Sequence, residues 1–464
     1  LFCEMEIKEL KKLLGENRVL SSPEEKRAYS YDASRQRAMP DVVVLPESTR
    51  DVQKIMQFAS LHNISVYPRG AGTGMTGGAL PQKGGIALVM TAMNKILDID
   101  TTNLTARVQP GVILYDLKEA VKKKGLFYPP DPASAKFSTI GGSVAVNAGG
   151  LNSVKYNVTR DYVLSLEAVS AQGEVLRFGA NTRKSVSGYD LTRLVVGSEG
   201  TLVVITEIQV KLIPNPKTIA TLIAVFPDDQ SALKAALEII REPMVPSTLE
   251  FLDETAVYCA YVYTKNPFLK EAGGALLLEF DSAGQEQESE NVSREISRAG
   301  KIVDSCGAIR SKETRNPAER EKLWEVRRCL SPAVYEIAPT KLNQDICVPR
   351  SEMPEVIREI KRIARDRGIK VVNFAHAGDG NIHVNFMYNG EDKNQREQAY
   401  KAAEELCRVT ISHGGTLSGE HGIGITKSRF LSLEFGESEI NLMRQIKKVF
   451  DPKGILNPGK IFKE

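Results

Sequence analysis

Residues 67–81 read YPRGAGTGMTGGALP, five glycines in fifteen positions, opening on the last two residues of the strand-like run SVYP at 65–68. Glycine at that density lets backbone N–H groups close on an anion in turn conformations that other residues resist, so the stretch predicts a phosphate cradle. Gly72, Gly74 and Gly77 satisfy the GxGxxG spacing of a dinucleotide-binding Rossmann turn. That turn needs a helix N-terminus facing the pyrophosphate, and Gly78, Pro81, Gly84 and Gly85 oppose a helix over the residues that follow. The anion is therefore expected on loop amides, and a nicotinamide Rossmann enzyme is disfavoured. An unliganded surface loop is the bland alternative. It loses ground to two further small-residue segments, PPDPASAKFSTIGGSVAVNAGG at 129–150 and VVGSEGTLVVIT at 195–206, both read as turns.

Around the loop, DVVVLP, IALVM, ARVQPG, VLSLEAVSA, EVLRF and LVVITEIQVKLIP are short β-branched runs cut by Gly, Pro and Asn. Helical patterns at 6–14, 49–62 and 113–124 alternate with them, which predicts a mixed α and β domain over residues 1–214. Pro214, Asn215 and Pro216 make a linker. Beyond it, TIATLIAVF, a helix at 231–241 and STLEFLD repeat in kind as ALLLEFD, a helix at 285–299 and KIVD. That order predicts a ferredoxin-like sheet with helices on one side. Helices at 352–367, 396–412 and 437–450 and the paired strands KVVNFAHAG and NIHVNFMYN complete a second domain over 215–450.

Composition narrows the function classes. Sixty-one Lys and Arg against 58 Asp and Glu, with no basic block, argue against a nucleic-acid or anionic-membrane partner. No apolar run nears the ~20 residues that span a bilayer, and the acidic start LFCEMEIKEL is unlike a signal peptide, so a cytoplasmic address is expected. Cys3, Cys259, Cys306, Cys329, Cys347 and Cys407 form no CxxC pair for zinc or an iron–sulfur cluster.

Four of the five histidines crowd into residues 376–421. HAGDGNIH sets His376 and His383 on either side of an Asp-Gly turn, where a hairpin can bring both imidazoles together. Glu420 and His421 follow within SGEHGIG. Two imidazoles and a carboxylate on turns suit a divalent transition metal, against the alternative of hydrogen-bonded structural histidines. His413 and His62 each end a helical run, where a cation favours the helix dipole. Trp324 and Arg327 share a helical face in KLWEVRRCLSP, and arginine offers a planar fork for a carboxylate; an exposed ion pair with Glu321 or Glu325 is the alternative.

PRGAGT, the 129–150 segment, NVTRDYVLSLEAVSAQGE, GSEGTL, HAGDGNIH, SGEHGIG and DPKGILNPGK occur here in one order. In this the chain resembles the flavin-dependent D-2-hydroxyacid dehydrogenases of the vanillyl-alcohol oxidase type. That group includes the glycolate oxidase catalytic subunit, FAD-dependent D-lactate dehydrogenases and D-2-hydroxyglutarate dehydrogenase. The resemblance implies an α+β fold: a two-part FAD-binding domain, a C-terminal ferredoxin-like cap domain for the substrate, and a last segment, 451–464, returning to the FAD domain.

It also implies roles. FAD would lie on Pro68, Arg69, Gly70, Ala71, Gly72, Thr73, Gly74, Gly77 and Gly78, with Pro132, Thr139, Gly142, Asn147 and Gly149 along the flavin. Glu199, Gly200 and Ile205 would follow the adenosine portion, and Asn457 would join from the closing motif. Relatives with covalent flavin carry a His in or near the first loop; Ala71, Thr73 and Met75 leave none, so FAD is expected to be non-covalent. Asn157 stands where glycine is expected. His376, His383 and Glu420 would hold Zn, Fe or Mn, with His421 as the base. Arg327, rather than Arg328, would bind the substrate carboxylate, Lys341 would be a second cation, and Asn385 would hydrogen-bond the substrate.

The implied activity is oxidation of D-lactate, glycolate or a similar small 2-hydroxy acid to the 2-oxo acid, with hydride passing to flavin N5. Electrons would leave to an external acceptor: an electron-transfer flavoprotein, an iron–sulfur subunit, a quinone or a cytochrome. Such a partner could hold the chain peripherally at a membrane. The same fold also serves D-2-hydroxyglutarate dehydrogenase and FAD-dependent alkyl transferases, and a non-catalytic metal or nucleotide sensor would keep the loops without turnover.

Overall fold

The structure is a computed structural model that describes residues 4–284 and 286–463, so Cys3 and Gln285, the first position of the helix expected at 285–299, lie outside it. The chain divides into two compact units. One comprises Leu1–Ala148, Val158–Pro214 and Glu420–Glu464, the other Gly149–Asn157 and Asn215–Gly419. The boundary at 214/215 is the one the prolines mark. The return begins at Glu420, ahead of the 451 expected from the closing motif, and residues 149–157 go with the second unit.

The first unit holds two main sheets and a short two-stranded pair, Leu126–Phe127 with Ile213–Pro214. In one, Val42–Val44 and Val66–Arg69 flank Ile86–Val89, all parallel, with Val19–Leu20 antiparallel at the edge. Helix Thr49–His62 makes the crossover. Ser48 Oγ caps it by accepting from Asp51 N, and Asn63 ends it in the left-handed conformation. Its Val52, Ile55, Met56 and Ala59 pack on the sheet in one core with Ile455 and Leu456 from the closing motif. That motif enters the sheet itself, since Val66 N donates to Ile455 O and Asn457 N to Val66 O. The other sheet is antiparallel, in the order Ile96–Asp100, Thr105–Val108, Val204–Lys211, Val163–Val169, Val175–Gly179.

One segment read as turns is a helix. Residues Ile140–Val146 are helical despite Gly141 and Gly142, because Thr139 Oγ1 caps the start by accepting from Gly142 N at 3.2 Å and Asn147 closes the end at φ 54°. A Cβ on Gly141 would come within 2.8 Å of Pro110 O, so close packing requires the glycine that made the segment read as a turn.

The second unit is built on one seven-stranded antiparallel sheet. Its order is Arg310–Thr314, Thr218–Phe226, Gly274–Ser282, Thr248–Asp253, Lys370–His376, Asn381–Tyr388, Thr340–Cys347. The first four have the 4-1-3-2 order of a ferredoxin-like βαββαβ unit. Two expectations change. KIVD is the end of helix Glu286–Ser305, with Val303 buried on the core, and the fourth strand is Arg310–Thr314, whose polar RSKET shows no apolar alternation. Helices also cover both faces. Asp229–Arg241, Glu286–Ser305, Met353–Asp366 and Lys393–Ser412 bury one face, while Glu254–Thr264, Pro317–Arg328 and Leu330–Ala333 bury the other. Asn157, near the margin of this unit's short segment, adopts φ 62° and ψ −161°, a conformation natural only to glycine.

Candidate functional site

The glycine loop of the first unit stays non-helical up to Ile86 and lines a cavity. Pro68 to Gly74 and Gly78 meet there with Pro132, Thr139, Gly142, Glu199, Gly200 and Ile205, so all three small-residue segments converge on one space. Glu420 and His421 line the same cavity. Two buried polar atoms on its wall, Arg69 Nη1 and Ser138 Oγ, have no hydrogen-bond partner among the described residues. Buried donors are rarely left unpaired, so the wall fits a polar, anionic ligand such as the pyrophosphate of a dinucleotide. Arg69 is anchored by Nη2 donating to Tyr31 O at 2.8 Å, and a Cβ on Gly72 would come within 2.2 Å of that same Nη2.

Four residues expected at the cofactor do not line the cavity. Gly77 (φ 77°) abuts Ile425, and Asn147 caps its helix while its Oδ1 accepts from Arg160 N. Asn457 ties the loop from behind, its Nδ2 donating to Gly78 O at 3.1 Å and Glu199 O at 2.6 Å. Gly149 falls in the other unit. Glu199 has a role that sequence reasoning missed. Its buried carboxylate accepts from Ile423 N and Gly424 N, both at 2.7 Å, and so fixes the loop that carries His421. Burial raises this carboxyl above the usual range, against the pull of those two N–H groups, Lys460 and Lys427.

In the second unit, the sheet face covered by Pro317–Arg328 is apolar at one end and polar at the other. His376 and His383, both buried, face each other there with their Nε2 atoms 3.2 Å apart and ring planes at 88°. They sit diagonally across the hairpin, His376 opposite Asn381 and His383 opposite Phe374. His376 Nδ1 lies 2.6 Å from Glu250 Oε1. His383 Nδ1 points to Asp345 Oδ1 at 3.9 Å, and Asp345 is held by Asn381 Nδ2 at 2.6 Å and Ser418 Oγ at 2.8 Å. Gly419 is packed onto this cluster, where a Cβ would meet Asn381 Nδ2 at 2.2 Å.

Helix Pro317–Arg328 turns one face to the same belt. Arg320, Trp324 and Arg327 recur at i, i+4 and i+7 and meet two buried carboxylates. Glu279 accepts from Trp324 Nε1 at 2.7 Å and Arg320 Nε at 3.1 Å, as well as from Thr221 Oγ1. Glu250 Oε2 accepts from Arg327 Nε at 2.6 Å, and the Arg327 guanidinium lies over Phe374, 4.5 Å from the ring centroid. Full burial pushes the Glu250 carboxyl up, but His376 and Arg327 outweigh it and hold the group below the usual range. Arg327 is thus no surface ion pair.

The remaining candidates are spread along this face. Asn385 is fully buried, its Nδ2 donating to Val372 O at 3.1 Å and its Oδ1 accepting from Asn343 Nδ2 at 2.9 Å, so its polar atoms are committed within the sheet. Lys341 extends over Tyr335, 5.7 Å from the ring centroid. His413 is the C-cap of Lys393–Ser412 with Nδ1 2.8 Å from Glu352, and His62 ends its helix against Phe58. Glu250 and Glu279 escaped sequence reasoning. The available signal was an acid embedded in each of the apolar strands TLEFLD and ALLLEFD.

The chain matches two family models, one described as FAD linked oxidases, C-terminal domain, over residues 215–461, and one described as FAD binding domain over residues 40–179. It is 42% identical to a glycolate oxidase subunit GlcD of Bacillus subtilis, covering 94% of this chain and 92% of that one. It is 37% identical to a D-lactate dehydrogenase of Archaeoglobus fulgidus, covering 94% and 96%. Solved structures share the fold at low identity. p-Cresol methylhydroxylase superposes with a TM-score of 0.81 at 16% identity, over 99% of this chain and 96% of that one. A 4-ethylphenol oxidase from Gulosibacter chungangensis gives 0.78 at 20%, over 99% and 97%. With such relatives aligned over nine-tenths of both chains, the protein belongs to the FAD-linked oxidase family and is an oxidoreductase of the glycolate oxidase and D-lactate dehydrogenase type.

Proposed function

We propose that the chain oxidises a small D-2-hydroxy acid, D-lactate or glycolate first, to the 2-oxo acid, with FAD bound non-covalently and a divalent transition metal on His376, His383 and Glu420. The observation that carries this reading is the histidine pair. Two nitrogens at about 2.05 Å from a tetrahedral metal stand about 3.3 Å apart, and the two Nε2 atoms lie 3.2 Å apart with their Nδ1 atoms turned toward carboxylates. Glu420 is the covalent neighbour of Gly419, which supports its joining the pair.

The cofactor would rest on the Arg69–Gly74 loop, Thr139, Gly142 and Gly200. When bound, FAD supplies the hydride acceptor, and a divalent metal eases ionisation of the substrate hydroxyl. The chain's own groups do the rest. Arg327 receives the substrate carboxylate on its guanidinium, and His421 takes the hydroxyl proton on its imidazole. Asn385 orients Asn343 on the strand face that bears His383, its Oδ1 accepting from Asn343 Nδ2. Electrons then leave to a separate acceptor, an electron-transfer flavoprotein or iron–sulfur subunit, since the six cysteines form no CxxC pair for a cluster.

The test is an anaerobic visible spectrum of flavin-loaded protein as D-lactate, L-lactate, glycolate and D-2-hydroxyglutarate are added in turn. Bleaching by D-lactate or glycolate but not L-lactate is expected. Flavin that stays oxidised with every acid would overturn the proposal.

A further inference from the structure

We propose that Glu250 is a positioning residue, a single buried carboxylate that fixes both the ring of His376 and the guanidinium of Arg327. This rests on the metal and carboxylate roles proposed above and adds the group that couples them. Glu250 sits in the middle of Thr248–Asp253, opposite His376 in the strand register, and has no exposed surface. Its two oxygens are divided between two tasks: Oε1 lies 2.6 Å from His376 Nδ1, and Oε2 accepts from Arg327 Nε at 2.6 Å.

The chemistry follows from what a carboxylate can do. An ionised carboxylate only accepts, so the His376 proton must sit on Nδ1, and the Nε2 lone pair is left facing His383. The opposite tautomer would put a hydrogen where a metal belongs. On its other side the same carboxylate engages only Nε of Arg327, leaving the paired Nη groups at the end of the fork as donors for a substrate carboxylate. A rigid strand carries both contacts, so the spacing between metal ligand and anion receptor is set by one side chain. Glu279 is the internal comparison. It holds Arg320 and Trp324 of the same helix in the same way but touches no histidine.

Glu250→Gln separates the two functions. The amide oxygen serves Arg327, which leaves the amide N–H₂ facing His376 Nδ1. Nδ1 must then carry the lone pair, and the proton moves to Nε2. In flavin-loaded, metal-stripped protein, zinc affinity measured by chelator competition should fall about 10- to 100-fold. With zinc restored to saturation, KM for D-lactate should stay raised, because the fork is less firmly held, while kcat largely recovers. Glu279→Gln should leave zinc affinity unchanged.

A second measurement needs no variant of Glu250. The chain has five histidines, so ¹⁵N-histidine labelling gives a readable spectrum. An Nδ1–H imidazole that disappears in His376→Gln is expected in metal-free wild type, beside the one expected of His413, whose Nδ1 also meets a carboxylate and which the variant keeps. Wild-type zinc affinity in Glu250→Gln, or an Nε2–H form of His376 in wild type, overturns the proposal, and the spectrum decides alone where Glu250→Gln loses its flavin or fold. Wild type that binds no zinc removes the metal reading instead, and the tautomer still tests Glu250.

Discussion

Trp324 is the chain's single tryptophan, and its replacement by phenylalanine tests how firmly the arginine helix is clipped to the sheet. The variant loses the Nε1–H bond to Glu279, 2.7 Å long and made to a buried carboxylate. A hydrogen bond to a charged group contributes about 1.5–3 kcal/mol, and the smaller ring leaves roughly 40 Å³ empty, which at ~24 cal/mol per Å³ adds about 1 kcal/mol. Glu279 keeps Arg320 and Thr221, so its charge is not abandoned and the total should stay near ~3 kcal/mol. In a unit of about 200 residues that lowers the melting temperature by roughly 6–12 °C. Calorimetry and far-ultraviolet circular dichroism read this without using the lost fluorophore. Arg327 lies three residues on, so KM for the acid should rise several-fold below the melting range. A Trp324→Phe protein that melts with wild type and keeps its KM would refute the clip.

Three further outcomes are expected. His421→Ala should bind FAD normally but reduce it about 10²- to 10⁴-fold more slowly under anaerobic stopped flow with saturating D-lactate, and flavin reduction at the normal rate removes His421 as the base. Asn157→Gly should relieve backbone strain of about 1–3 kcal/mol, less up to ~1 kcal/mol of added unfolded-state freedom, for a gain of about 1 kcal/mol; a lower melting temperature in the variant counts against strain at this residue. Burial and the neighbouring Asp229 push the Asp253 carboxyl up to about 7, so the folded chain keeps a proton that the unfolded chain sheds above ~4. The resulting stability is fully present below pH ~4 and lost as pH rises through 7. Urea midpoints of wild type should therefore fall, relative to Asp253→Asn, between pH 4.5 and 7.5, and parallel profiles in that range contradict the shift.

What could be read from the sequence follows the physics of each segment. Helix Thr49–His62 and helix Glu437–Phe450 match expectation to the residue because a polar cap or acidic first turn frames an apolar stripe. Ile140–Val146 was hidden because its glycines serve close packing on Pro110, a cause that composition does not reveal. Thr340–Cys347 carries no apolar alternation, since Lys341, Asn343 and Asp345 share the face that bears His383 and Asn385. The site erased the pattern that would have announced the strand. HAGDGNIH could be read as a paired site because both histidines lie on one hairpin. Glu250 could not, because its partners Arg327 and His376 are 77 and 126 residues away.

The closing motif bears on how the protein is made. Ile455 and Leu456 fill the core of the first unit beside Val66, and the cavity wall includes His421. A nascent chain has made every strand of that unit's sheets once Pro214 has emerged, yet lacks this edge and this wall until the stretch from Glu420 through Leu456 follows. The second unit, whose core includes helix Lys393–Ser412, is complete at Gly419, before the closing motif is made. During synthesis the first unit therefore waits with an open apolar core while the second matures, an interval in which chaperones have something to hold. Flavin capture belongs to the end of that interval, so a stop codon ahead of Ile455 should yield chain without flavin.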